Sequence, residues 1–234
     1  MRRNTATIAG AIAVAVLSSI LTVAAPASAT EYAALDQAVS TQLEIKLLNL
    51  AQQSGSQVSI SGVSVDVSPQ LVAAAGSDEP PKVAEYIFAE VKRRAKDAQA
   101  PTSNPAAEAA SEPKQKEQMS ATRKTVRYTA DQSTVLPALG IAWVNQDMSV
   151  TFSGNTISSV KLQGSSYGTG VSVFAYSHIS TAISYSGGKT CLLTRMKGTF
   201  SAVVKGSAVA FAASVLAADG PRGGKMVNLN TNNC

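Results

Sequence analysis

The sequence predicts an α+β protein divided by segment: a short helical N-terminal unit, then an all-β antiparallel sandwich or small barrel. Three observations predict this. Apolar residues recur at helical spacing in two stretches before residue 100; a proline-containing polar stretch follows; and from Lys124 onward short runs rich in Val, Ile, Thr, Ser and aromatics alternate with Gly and Asn turns. The expected boundaries are a signal peptide over 1–29, an acidic helical unit over 30–99, a flexible linker over 100–122 and a basic all-β domain over 123–234. With 45% hydrophobic and 15% charged residues among 234, and a mean hydropathy of +0.08, the chain has the material for a core and is not a wholly disordered polymer.

Arg2 and Arg3 give a positive start, Ile8 to Ala25 an apolar stretch, and Ala27-Ser28-Ala29 the small residues that a signal peptidase requires, so cleavage is expected after Ala29. No later apolar run reaches the ~18 residues of a membrane helix, which excludes a multi-pass helical membrane protein. The form of the signal suggests a bacterial protein, secreted or associated with the cell envelope. Cys191 and Cys234 are the only thiols, and export favours a disulfide between them. The alternative use of Cys191 is as a nucleophile beside His178.

Tyr32, Leu35, Val39, Leu43, Leu47 and Leu50 fall on one side of a first helix that Gly55 stops. Val58 to Val67 alternates around Gly62 as a short strand or hairpin. Asp78, Glu79, Pro80 and Pro81 suit a helix start, and Val83, Ile87, Val91 and Ala95 form its buried stripe. Lys92, Arg93, Arg94 and Lys96 then complement the negative end of the helix dipole, and Arg93-Arg94 doubles as a candidate cleavage site for release of an acidic pro-segment. Residues 100–122, with three prolines and one large apolar side chain, Met119, read as linker.

Strands are expected over 148–152, 156–163, 170–180, 190–197 and 199–216, for a total of about six to eight. Ser153-Gly154-Asn155 and Ser186-Gly187-Gly188 supply turns, and a bend or bulge, or a division into two strands, is expected near Gly206. Val227 and Leu229 are expected in a last strand beside the one that carries Cys191.

Charge separates the two halves. Residues 30–122 hold 8 Lys/Arg against 12 Asp/Glu, net −4, and residues 123–234 hold 10 against 3, net +7. Lys161, Lys189, Arg195, Lys197, Lys205, Arg222 and Lys225 are therefore candidate anion-binding residues, and the leading function is non-enzymatic association of the basic β domain with an anionic wall polymer, a membrane surface or another extracellular partner. Nucleic acid is not the expected ligand, because no aromatic-interleaved basic stripe is present. The first alternative is a secreted antimicrobial or membrane-active effector released from the acidic segment. It would use the strands from Gly170 to Tyr185, where Val171, Val173, Ala175, Ile179 and Ile183 share one parity but Phe174 and Tyr176 take the other.

The second alternative is a hydrolase centred on His178, the only histidine, with a serine and one of Asp131, Asp147 or Asp219. No Gly-x-Ser-x-Gly elbow supports it. Gly187-Gly188-Lys189-Thr190 imitates the end of a phosphate-binding loop, but Ile183 stands where the first glycine belongs and a strand pattern follows where a helix is needed, so a hairpin turn is expected. One His and two Cys are too few for a His-rich metal site, a zinc ribbon or a multi-cysteine redox centre, and no cofactor is implied.

Overall fold

The computed structural model describes residues 29–54, 57–99, 117–120, 123–132, 136–140, 143–169, 173–229, 231 and 234. The expected signal peptide and most of the expected linker lie outside these residues. The chain is a helix-rich N-terminal part followed by two antiparallel sheets, neither of which closes into a barrel.

Helix α1 (Ala29–Ser54) buries Val39, Leu43 and Leu47 and packs Leu35 and Leu50 at the core margin, as the 3.6-residue period requires. Strand β1 (Val58–Val65) buries Ile60, Val63 and Val65; its register slips between Ser61 and Ser64 at Gly62, so the alternation is broken at a bulge. Helix α2 (Pro69–Ala75), which the sequence reading did not contain, starts at Ser68, whose Oγ accepts the Leu71 N–H at 3.1 Å, and ends at left-handed Gly76. Helix α3 (Pro80–Gln99) follows the predicted prolines and buries Val83, Ile87, Val91 and Ala95. It docks on α1 through the Lys46–Glu85 ion pair, and Arg94 Nη1 donates to the Val203 carbonyl at 2.8 Å.

The second part begins with β2 (Glu117–Ser120), inside the expected linker, which is held by pairing to β3 (Arg123–Gln132). After them come β4 (Trp143–Ser153), β5 (Thr156–Leu162) and β6 (Tyr167–Thr169). These five strands form the second sheet in the order β2-β3-β4-β5, and β6 takes the part of the β4 edge that β5 leaves uncovered. The first sheet contains β7 (Ala175–Ser186), β8 (Cys191–Val204), β9 (Ser207–Arg222) and β10 (Lys225–Leu229), and its order is β1-β9-β8-β7 with β10 on β9. Of these ten strands among the described residues, eight, β3 to β10, fall within the expected β domain, in line with the expected six to eight; β1 lies in the helical part and β2 in the expected linker.

Three expectations are corrected here. The helical part is not separate from the β part, because β1 pairs with β9 from Val58↔Val215 to Val65↔Val209 and residues of both parts share one hydrophobic core. β10 pairs with β9, not with the Cys191 strand. Residues 170–172 lie outside the described residues; over 174–185 the mixed parity comes from a bulge between His178 and Ser180: Phe174 and Tyr176 face the core ahead of it, and Thr181 and Ile183 share that side after it. The reversal near Gly206 is a hairpin, with Lys205 at φ 50° and Gly206 at φ 79°.

Each sheet turns one side to the common core and the other to water. On β4 the core side is Val144, Gln146, Met148, Val150 and Phe152, and on β8 it is Leu192, Thr194, Met196 and Phe200. Phe211 of β9 stacks on Phe200 at 5.4 Å and meets Phe174 edge-on at 5.3 Å, which sets the contact between the first sheet and the helices. Cys191 and Cys234 are joined, with 43 residues of separation and Cα atoms 5.6 Å apart.

Candidate functional site

The seven predicted cations do not converge on one patch. Arg195 and Lys197 lie two apart on the water-facing side of β8, where Arg195 donates to Ser214 Oγ at 3.4 Å. Lys161 of β5 and Arg127 of β3 flank Ser149 of β4 in one cross-strand row on the water-facing side of the second sheet. Arg222 and Lys225 face each other across the Gly223-Gly224 turn, near the Lys124 ammonium. Lys205 sits in the β8–β9 turn, and Lys189 in the β7–β8 turn, where its Nζ lies 5.9 Å from the centre of the Tyr185 ring.

These cations differ from those of the helical part in one respect. Every ion pair among the described residues has both partners between Lys46 and Asp97. Glu90, for example, takes Arg93 and Arg94 at 2.9 Å each, and hydrogen bonding from Arg93 first, then from Arg94, holds its carboxyl down at about 2 despite partial burial. The candidate processing pair is thus bound within the fold, with Arg94 also reaching the first sheet. In the β part, Asp147 and Asp219 are taken by hydroxyl and amide donors instead, and none of the seven cations pairs with a carboxylate among the described residues.

His178 has a serine partner. Ser166 Oγ lies 2.6 Å from its Nδ1 and 2.8 Å from Tyr176 Oη. Ser166 is only 3% exposed, neither Asp131, Asp147 nor Asp219 hydrogen-bonds His178 among the described residues, and the Tyr176 ring occupies the space above Gly198. This makes Ser166 a buried bridge that fixes two side chains of β7, not an accessible nucleophile. Cys191 is in the disulfide, which ends its reading as a nucleophile. Gly187-Gly188-Lys189 is a tight turn of left-handed residues (φ 57°, 65° and 69°) that joins β7 to β8, a hairpin connection and not a phosphate loop.

Two arrangements were missed in the sequence. Between the sheets, Asp219 is fully buried: its Oδ1 accepts from Tyr128 Oη at 2.9 Å and Asn228 Nδ2 at 3.2 Å, while Oδ2 has no partner. Burial pushes this carboxyl up to about 7 and pushes the Tyr128 phenol up as well. Nearby, Gln146 is also buried but satisfied: its amide donates to the Asp147 and Gly164 carbonyls and its oxygen accepts from Thr181 at 2.7 Å, tying β4 to β7.

On the outer side of the second sheet, register places Trp143, Asn145 and Asp147 of β4 on the same face as Thr169 and Tyr167 of β6 and Thr129 and Asp131 of β3. Trp143 is 46% and Tyr167 40% exposed. The signal that could have located this cluster is the i, i+2, i+4 parity of Trp143, Asn145 and Asp147. No match for the chain is found among protein-family models, curated proteins or solved structures.

Proposed function

We propose that the protein is exported and non-enzymatic, and that its β part, with the two sheets stacked as a sandwich, binds anionic polymers of the cell envelope. The observation that carries this reading is the segregation of ion pairing: Lys46, Lys82, Arg93 and Arg94 of the helical part are matched by carboxylates within it, while none of the seven cations named above on the sheets and their turns has a carboxylate partner among the described residues. Unmatched surface charge produces a net field that attracts polyanions and is screened by salt. The dispersion of the cations over both sheets and three turns favours a long polymer over a single compact anion.

The test is co-sedimentation with purified cell walls at low and high salt, with intact-mass analysis of the pellet. Salt-sensitive pelleting that weakens in an Arg195→Glu/Lys197→Glu variant supports the reading, and pelleting indifferent to both removes it. The one contact that bears on a hydrolase is Ser166–His178, and the burial of Ser166 weighs against it. It requires that His178→Ala abolish an activity present in the folded wild type; an activity kept by that variant ends this reading.

A further inference from the structure

We propose that the water-facing side of the second sheet around Trp143 and Tyr167 binds an extended, uncharged polysaccharide, at a site separate from the cations above and independent of them. Trp143 and Tyr167 are diagonal neighbours on adjacent strands, so both rings stand on one face of the sheet. They are among the few large apolar side chains that the described residues leave exposed, and they are the only two aromatics so placed on this sheet.

The platform is held in place before any ligand arrives. β6 is fixed to β4 through Trp143↔Thr169, Val144↔Gly168 and Asn145↔Tyr167, and Asn145 Nδ2 donates to Thr169 Oγ1 at 2.8 Å. From the core side, the Tyr176 side chain rests against Gly168, where a Cβ would stand 3.1 Å from Tyr176 Cβ. Tyr167 Oη donates to Asp147 Oδ1 at 3.3 Å, which orients the ring along the strand. Rings fixed in this way lose little rotamer freedom when a ligand stacks on them.

The polar groups beside the rings identify the ligand class. Asp147 Oδ1 accepts from Thr129 Oγ1 at 2.6 Å and from Tyr167, while Oδ2 has no hydrogen-bond partner among the described residues. Asp131 lies across from Asn145 on the same face. Two carboxylates repel an anion and call for hydroxyl donors, while the rings call for an apolar C–H surface. A pyranose presents both, with C–H groups on its faces and O–H groups around its rim. From Trp143 to Asp147 the strand runs about 14 Å, a length suited to an oligomer and not to one ring.

Trp143 is the only tryptophan in the chain, so its emission reports this face alone. The full chain is titrated with soluble oligomers of cellulose, chitin and amylose in about 1 M salt, where the electrostatic binding proposed above is screened. A saturable emission shift is expected with at least one of them, weakened about tenfold or more by Tyr167→Ala, nearly unchanged by Tyr167→Phe, and indifferent to Arg195→Glu/Lys197→Glu. Pelleting with the corresponding insoluble polysaccharide is expected to be lost in Trp143→Ala, an exposed substitution whose fold is checked by circular dichroism. No emission change with all three sugars overturns the proposal. So does a saturable response to tetramethylammonium without one to the sugars, which makes the face a cation site, and so does full binding in a folded Tyr167→Ala or Trp143→Ala protein. Loss of wall pelleting in the Arg195/Lys197 variant leaves these readouts untouched, so the two functional claims fail separately.

Discussion

Replacing Asp219 with Asn isolates the energetic consequence of burying a carboxyl between the sheets. The folded-state carboxyl sits at about 7 against an ordinary value of 3.8, because burial outweighs the donations from Tyr128 and Asn228, and Asp131 adds to the rise. The folded chain therefore holds a proton that the unfolded chain releases, and stability falls as pH rises from about 4 to about 7 and is level above that. At 1.36 kcal/mol per pH unit the whole effect is about 4 kcal/mol, of which about 3 kcal/mol falls between pH 5 and pH 8. The amide keeps the shape and the Oδ1 acceptor but carries no charge. Its NH2 group occupies the place of Oδ2, on the same side of the sheet as Thr194 Oγ1, the other buried side-chain oxygen without a partner among the described residues. Urea unfolding at the two pH values is the assay. Asp219→Asn should gain about 3 kcal/mol on wild type on going from pH 5 to pH 8. Parallel profiles for the two proteins, or a variant less stable than wild type at pH 8, would show that the donors fully compensate the carboxylate and would refute the burial argument.

Gly198→Ala should cost about 2 kcal/mol, since its methyl would fall on the Tyr176 ring and stand 2.7 Å from the Ser177 carbonyl, which cannot move aside; an unchanged melting temperature would contradict this. Cys234→Ser should lower stability by about 4 kcal/mol on the chain-entropy account of a 43-residue separation, measured by urea unfolding under oxidising conditions, and a loss below about 1 kcal/mol would mean that the unfolded chain is little constrained by the bridge. A fragment beginning at residue 117 should fail to fold, because it lacks β1 on the β9 edge and the helices over Phe211; a dispersed amide spectrum from it would disprove that dependence.

What was legible in the sequence was what local chemistry determines. The Val39, Leu43, Leu47 stripe and the Val83, Ile87, Val91 stripe need only the helical period to be seen, and the Lys205-Gly206 reversal needs only the conformational freedom of a turn. The missed elements depend on partners far along the chain. Glu117–Ser120 has linker composition and becomes a strand because β3 offers it an edge. Tyr167–Thr169 is too short to show a period, and β4 dictates its conformation. Ala-Asp-Gly-Pro at 218–221 has the composition of a turn, yet β9 continues to Arg222: Pro221 lies beyond Leu192↔Asp219, the last pairing with β8, so no N–H is needed on that edge. The candidate sites divide in the same way. The cations could be named from composition, but their lack of carboxylate partners and the shared face of Trp143 and Tyr167 follow only from the register.

The charge boundary near residue 122 is a property of the surface and not of the fold. β9 receives β8 along one edge, while its other edge is divided between β1 from the acidic part and β10 from the end of the basic part. The Cys191–Cys234 bridge closes the chain beside the same sheet. A helical segment held this way cannot leave as a pro-segment without exposing the β9 edge and the apolar side chains beneath α1 and α3, so its acidity has to be accounted for in place. Within the helical part Glu85, Glu79, Glu90 and Asp97 pair with Lys46, Lys82, Arg93 and Arg94, while Asp36 accepts the Val67 N–H, and the segment keeps a net negative charge. The basic composition of the β part and the acidic composition of the helical part therefore coexist around one shared hydrophobic core.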